Sequence, residues 1–588
     1  MSCKFIKYAA VFILPALFFC SAFADVGTTE EAMREIKRRR DLIDQDLREK
    51  QRSGLEKKDS LKEKPKESPI KEKTAAVDTT KFILKEIIIE NDKHISWFEK
   101  RRLTKNLTGR EITFNDMAQL VRELTNLLID KGYSTARVKI PVGQNISSGK
   151  FTVSIINGCI ENIEPEEKSL RGGLQIFTAF PFYRGKYLNV HELEYALEQV
   201  NRFSFNNAAM KIIPGSEEGM SKILITNRPG LSVSLEPGAD NLGQKATGEI
   251  RAKIFTEVNN LLSINDSISF YYTGTPNFDN SREHNRVYTF YFSFPFGFWN
   301  FDAAYVYSEY MQIVDGMSAS FISSGKDYSK SLFAERLIFM KGYHRIKARA
   351  GLTLKQKESY IEDALISSSS RNLSILKGGF DYSGFFLGGD FSAGVFYSNG
   401  VKWFNAYRDE SKESDVPKAQ FGKYEASLLW NRQFALFGRM FSYTFSSFGQ
   451  HGKDTLFSSE KISIGDLNTV RGFKNFSVSG DSGFFVRSDL AIHDFSFIWR
   501  ALRGLKLFIG CDYGFVMEKT GREANFGQGR AALTGCAAGF NYTSPVIRAS
   551  LTYSRRLSQP EFVFEKEQIV YFSVSLPMSD TYQMMREM

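Results

Sequence analysis

The feature that most restricts this chain lies downstream of Leu231. Over the roughly 360 residues that follow, helical periodicity nearly disappears, and short alternating segments are broken by Gly, Asn, Asp and Ser turns. From Val287 to Phe294 one face is fully apolar, whereas the other includes Thr289 and Ser293. Near the end, Val570, Phe572, Val574 and Leu576 alternate with Ile569, Tyr571, Ser573 and Ser575. A soluble sandwich could produce such strands. One unbroken run, in a chain with 52 Phe and 25 Tyr, fits lipid-facing faces and interfacial girdles better. At about 22 residues per strand with its loop, the run predicts a transmembrane β-barrel of about sixteen antiparallel strands over residues 229–588. A mean hydropathy of −0.27 agrees with this, because alternation averages out. Beyond the N-terminus no run of about 18 apolar residues occurs, which excludes a multi-span helical membrane protein.

The N-terminus reads as a secretory signal over residues 1–24. Lys4 and Lys7 precede the apolar stretch Tyr8 to Cys20, and Ala22-Phe23-Ala24 places cleavage before Asp25. With such a signal, the barrel belongs in a bacterial outer membrane. Export removes two of the five Cys and leaves Cys159, Cys511 and Cys536. These are widely spaced, with no C-x-x-C, and predict neither a metal site nor a disulfide framework. From Asp25 to Thr80 there are 15 Lys/Arg, 14 Asp/Glu and no aromatic, so the segment cannot build a core. Its first part (25–54) still places Met33, Ile36, Ile43 and Leu47 on one helical stripe. Residues 55–80, with Pro65 and Pro69, read as a linker.

Two small α/β modules are expected next, at 81–159 and 160–228. The first has a strand over Phe82–Glu90, a helix carrying Phe114, Met117, Leu120, Leu124 and Leu128, and strands Ala136–Pro141 and Phe151–Ile156. The same order returns in the second: a short strand, a helical stretch Leu170–Phe180, a helix carrying Leu193, Ala196, Leu197 and Val200, then strands Ala209–Pro214 and Ser221–Thr226. This internal repeat of about 75 residues is too short in copies for a solenoid.

No catalytic signature is present. There is no G-x-x-x-x-G-K-[ST], no H-E-x-x-H and no zinc-ligand spacing, and the six His are scattered singly. The most specific local pattern is Ser463-Ile464-Gly465-Asp466, then Thr469-Val470-Arg471-Gly472-Phe473, then Gly480 to Arg487, and Gly510-Cys511-Asp512-Tyr513-Gly514 on a strand. In these residues the chain resembles the two-partner secretion translocators, the ShlB/FhaC/HecB (TpsB) family of the POTRA-barrel superfamily. Gly132-Tyr133, Pro141 and Gln144 resemble the signature of the first POTRA domain; Ala179-Phe180-Pro181, Leu188-Asn189 and Asn201-Arg202 resemble that of the second.

The resemblance implies that Val470, Arg471, Gly472 and Phe473 tip a long loop (near 460–482) folded back into the lumen. It also implies that Arg471 reaches Asp512 on the inner wall, within a motif that ends at Gly514. A planar guanidinium forking onto a carboxylate suits that role. A wet lumen would leave such a pair worth less than a buried one. The resemblance further implies a helix at 25–54 that plugs the pore, no enzymatic activity, no cofactor and no nucleic acid. Its implied function is export of a large secreted partner protein, of the β-helical adhesin or haemolysin type. Outer-membrane lipid and the barrel assembly machinery are the other implied partners. The alternative within the superfamily is an insertase that assembles barrels; a diffusion porin and a barrel hydrolase are weaker rivals. Family barrels usually end on an aromatic residue, whereas here the last strand ends near Leu576-Pro577-Met578.

Overall fold

The computed structural model describes residues 81–578, apart from 145, 204, 228–229, 277–282, 317–318, 411–412, 414, 520–528 and 562–567. The expected signal (1–24), plug helix (25–54), linker (55–80) and tail after Met578 lie outside the described residues.

The first module contains β1 (Glu86–Glu90), α1 (Trp97–Thr104), α2 (Phe114–Asp130), β2 (Arg137–Lys139) and β3 (Lys150–Ile156). Central β3 runs parallel to β1 and antiparallel to β2. Met117, Leu120, Leu124 and Leu128 share one stripe of α2 and pack on Phe151, Val153 and Ile155 of β3. The expected strand over Phe82–Glu90 is interrupted. Phe82–Ile83 pairs with Glu111–Ile112, and β1 starts only after Leu84 has turned into the core.

The second module repeats the plan with β4 (Cys159–Pro165), α3 (Leu170–Ala179), α4 (Val190–Val200), β5 (Ala209–Pro214) and β6 (Met220–Thr226). Here β6 is central, parallel to β4 and antiparallel to β5. Leu193, Ala196 and Val200 of α4 cover Ile223 and Ile225.

The rest of the chain closes into sixteen antiparallel strands. The first half comprises β7 (Ser232–Asp240), β8 (Arg251–Asn259), β9 (Ser267–Gly274), β10 (His284–Phe296), β11 (Trp299–Asp315), β12 (Ser320–Lys341), β13 (His344–Ile361) and β14 (Arg371–Phe386). The second half comprises β15 (Gly389–Val401), β16 (Gly422–Leu436), β17 (Arg439–Gly452), β18 (Ser482–His493), β19 (Leu505–Met517), β20 (Arg530–Thr543), β21 (Arg548–Ser558) and β22 (Ile569–Ser575). Period-2 alternation sorts the two faces: on β10, Val287 and Thr289 are fully buried, while Phe290 between them and Tyr291 is half exposed on the outside. Leu332, Phe380, Val395 and Ile509 are likewise exposed and apolar, as a lipid-facing wall requires. Closure gives every spanning strand a backbone partner on both sides, which hydrocarbon demands. The seam between β22 and β7 is short, with Ser573, Val574 and Ser575 opposite Asp240, Ala239 and Gly238. The Asn241 side chain extends it by donating to the Val570 carbonyl (2.7 Å) and accepting from Phe572 N–H (2.8 Å).

The second module is bolted to the periplasmic rim. Asn265 donates to the Gln175 carbonyl (2.9 Å), Gly297 N–H donates to the Thr178 carbonyl (2.7 Å), and Tyr195 stacks on Phe298. Arg202 donates to the Asn265 carbonyl (3.2 Å) and to Ser293 Oγ (3.4 Å), and Glu198 pairs with Arg345 at 2.8 Å. Hydrogen bonds to charged groups are worth about 1.5–3 kcal/mol each. The double variant Glu198→Ala/Arg202→Ala should therefore loosen the module from the rim without unfolding the barrel. Limited proteolysis between the module and β7 should accelerate, while the heat-modifiable barrel band persists.

Candidate functional site in the barrel lumen

The connection from β17 to β18 does not stay outside. It folds into the lumen as a short antiparallel ribbon, Ile462–Ile464 against Val478–Gly480, whose tip carries Val470 to Phe473. Local chemistry shapes the tip. The Asp466 carboxylate accepts from Asn468 N–H (2.6 Å) and Thr469 N–H (2.7 Å), and Thr469 Oγ1 accepts from Gly465 N–H (2.9 Å). Gly472 sits at φ +97°, where a side chain is strained, and a Cβ there would press on the backbone of Arg555 and Arg556.

Arg471 is 1% exposed and Asp512, on β19, is 2% exposed. Nε and Nη2 of Arg471 donate to the two Asp512 oxygens, each at 2.6 Å, and the Arg471 backbone N–H donates to Oδ2 at 3.0 Å. The same Nη2 donates to Asp489 Oδ1 on β18 at 2.6 Å. Arg487, in register with Asp512, stands 3.7 Å from it and donates to the Leu467 carbonyl (2.9 Å). Two cations and two carboxylates therefore balance. Glycines make the bed: a Cβ at Gly510 would reach Arg471 Nη2 and Asp489, and one at Gly514 would reach Val470 and Ile464.

Around this cluster Ile462, Ile464, Val470, Phe473 and Val478 of the loop pack on Val516, Ala531 and Leu533 of the wall. Arg556 donates to the Gly472 carbonyl (2.8 Å) and lies over the Phe473 ring. The expectation of a wet, weak pair is thus overturned: an apolar shell covers it. Farther out, buried Glu460 is paired with Lys355 (2.6 Å) and Lys423 (3.1 Å), and buried Asp481 accepts from Leu456 and Lys519 N–H groups.

The remaining sequence-predicted residues sit in the modules, away from this cluster. Gly132, at φ +92°, closes α2, and its carbonyl accepts from Val190 N–H of the second module (2.8 Å). Tyr133 stacks on His94 at 3.8 Å. Gln144 bridges to the Thr152 backbone in both directions and to the Pro141 carbonyl. Asn201 bridges to both backbone groups of Ala208, and Arg202 reaches the barrel rim.

Asp489 and Glu460 escaped the sequence reading, and Arg487, which closes the Gly480 to Arg487 stretch, was given no role there. The available signal was parity: Arg487 and Asp489 share a face two residues apart on a strand preceding the Asp512 motif. The thiols also differ from their spacing in sequence. Cys511 lies directly opposite Cys536 across β19 and β20, with both thiols free. Because Asp512 points inward, both face outward.

A closed sixteen-stranded barrel, two periplasmic α/β modules and a lumenal loop held by a buried arginine define an outer-membrane transporter of the POTRA-barrel class. The profile of the family described as "Haemolysin secretion/activation protein ShlB/FhaC/HecB" matches residues 219–542, and ShlB-type and general POTRA profiles match 82–158 and 159–214. The chain belongs to the ShlB/FhaC/HecB family and is a two-partner secretion translocator. It is 28% identical over 536 residues to the outer membrane transporter CdiB of Escherichia coli, covering 91% of this chain and 88% of that protein. The hemolysin transporter protein ShlB of Serratia marcescens is 29% identical over 381 residues, 65% of this chain and 67% of that one. The solved structure of CdiB from Escherichia coli superposes with a TM-score of 0.75 at 25% identity, covering 91% of this chain and 98% of that chain. This is a family of transporters, and its membership favours export over barrel insertion.

Breaking a buried ion pair costs about 3–5 kcal/mol. Arg471→Ala and Asp512→Ala should each release the loop tip while the heat-modifiable barrel persists, and the double variant should be no worse than either alone. Gly514→Ala, which pushes on Val470 and Ile464, should mimic them. External protease digestion of residues 453–481 reads the release, and a loop as protected as in the parent chain would contradict the docking. Cys residues placed at 471 and 512, with Cys511 and Cys536 first replaced, should crosslink rapidly in the membrane. An exchange of the two charges should restore little, since Asp lacks the forked reach of Arg.

Proposed function

We propose that the two modules capture an unfolded secreted partner by main-chain pairing at a sheet edge, and that the barrel passes it outward beside a loop fixed by Arg471. The docked arginine cluster, in a barrel whose rim carries the second module, is the observation that carries this reading. Among the described residues, β1 and β2 of the first sheet and β5 of the second each pair on one side only, whereas the start of β4 is covered by residues 185–187, Ile160 N–H donating to the Lys186 carbonyl (2.8 Å). Such edges accept an extended chain without a side-chain pocket. Relatives named hemolysin transporter proteins support a secreted cargo of haemolysin type, and a large β-helical adhesin is the other kind this reading admits. Outer-membrane lipid surrounds the barrel, and the barrel assembly machinery inserts it. No nucleotide-binding motif occurs in the sequence, so folding of the cargo outside supplies direction.

In this reading Arg471, Gly472 and Asp512 hold the loop against the wall, Gln144 and Asn201 keep the module edges in shape, and Gly132 and Arg202 set the path from module to rim. Removing residues 82–228 should leave a barrel that inserts yet exports nothing; normal export by that truncated chain would refute capture by the modules. Deletion of the chain should remove one surface protein and leave other outer-membrane barrels at normal levels, whereas an insertase would deplete many. If residues 25–54 plug the lumen, their removal should raise single-channel conductance in planar bilayers and spare secretion.

A further inference from the structure

Helix α3 of the second module has two apolar faces, and only one is used by its own fold. Gln175, Ile176, Thr178 and Ala179 are buried in the module and against the rim. Leu170, Leu174 and Phe177 follow at i, i+4 and i+7 on the other side and are 82%, 39% and 51% exposed. Just past the helix, Phe182 is 72% exposed and holds φ +58°, a conformation that a bulky residue adopts at a cost. Neither the exposure nor the strain is repaid within the module.

The surroundings identify what covers this face. Phe177 and Phe182 stand edge-on to Phe296, with ring centres 5.9 and 6.1 Å away. Phe296 ends β10 on the same outward face as Phe290, Phe292 and Phe294, and it is in register with Trp299, itself outward and 39% exposed. The two module rings therefore continue the barrel's lipid-facing aromatic belt at its periplasmic end. The bonds from Asn265 and Gly297 to the end of α3 fix the helix at that level. Between residues 166 and 186 the charges are Lys168, Arg171, Arg184 and Lys186 against Glu166 and Glu167, a net +2 that suits phospholipid headgroups.

We propose that Leu174, Phe177 and Phe182 insert into the periplasmic leaflet of the outer membrane, so that the second module is seated in phospholipid as well as on the barrel rim. The face is thus occupied by lipid in the resting protein and is not a surface for cargo. Lipid seating would keep the module at a fixed level, with its sheet edges turned to the periplasm.

The full-length native chain, reconstituted in phosphatidylethanolamine/phosphatidylglycerol bilayers doped with a phospholipid bearing an acyl-chain diazirine, tests this. After photolysis and peptide mapping, label is expected on residues 170–182 as well as on outward barrel residues, with none at Val142, which is fully exposed on the first module. Phe177→Ser/Phe182→Ser, checked for a heat-modifiable barrel, should lose most label at 170–182 and keep it on the barrel. Labelled barrel strands with an unlabelled 170–182 segment would overturn the proposal. Label that the secreted partner displaces from this segment would also overturn it, by making the face a cargo dock.

Discussion

An arginine inside a barrel wall must bring or find its counter-charges, and most of the lumenal architecture follows from how Arg471 does so. Two carboxylates, Asp512 and Asp489, and a second cation, Arg487, come from adjacent strands β18 and β19. They can meet only if residues 487, 489 and 512 all point inward, so the cluster fixes the register of those strands as well as the loop. A one-residue slip would put all three in lipid, where charge is most costly. The glycines at 510 and 514 are the space through which the tip reaches the wall. Removing one partner strands the others, which is why a buried cluster of this kind is a fastening more than a source of net stability.

The other structural demand is continuity between capture and passage. The modules do not hang from a single linker. Gly132 and Val190 tie the first module to the second, and Gln175, Thr178, Glu198 and Arg202 tie the second to periplasmic turns of the barrel. Under the proposed edge pairing, a captured chain would be held at a set distance from the lumen, which would raise its effective concentration there without any added affinity.

Much of this was legible in the sequence because two periods are hard to disguise. The 2-residue alternation marked the barrel, and the stripes of α2 and α4 marked the modules. Helix α1 was not separately placed, since Trp97–Thr104 has no apolar stripe and buries none of its residues; its start is instead set by the Ser96–Glu99 capping box. Arg471 and Asp512 were legible through a motif. Arg487 stood in the same motif without a role; Asp489 and the Glu460–Lys355–Lys423 group were not legible, the latter because it unites residues up to about a hundred positions apart that share only the lumen. The opposition of Cys511 and Cys536 is likewise a matter of register, which composition cannot show.

The docked loop also constrains how cargo can move. Burying a Val, Ile or Phe side chain is worth about 1.5–3 kcal/mol. Five such loop residues contribute to the lumenal cluster. If the ribbon kept half of that burial within itself, withdrawal would forfeit roughly 4–7 kcal/mol of it, offset in part by the backbone entropy regained, about 1–2 kcal/mol per released residue. A cargo path beside the docked tip, as proposed above, leaves that burial intact. On that path the wall that bears Asp512 is a fixed rail, and widening of the lumen falls to the outer part of the loop or the short seam between β22 and β7.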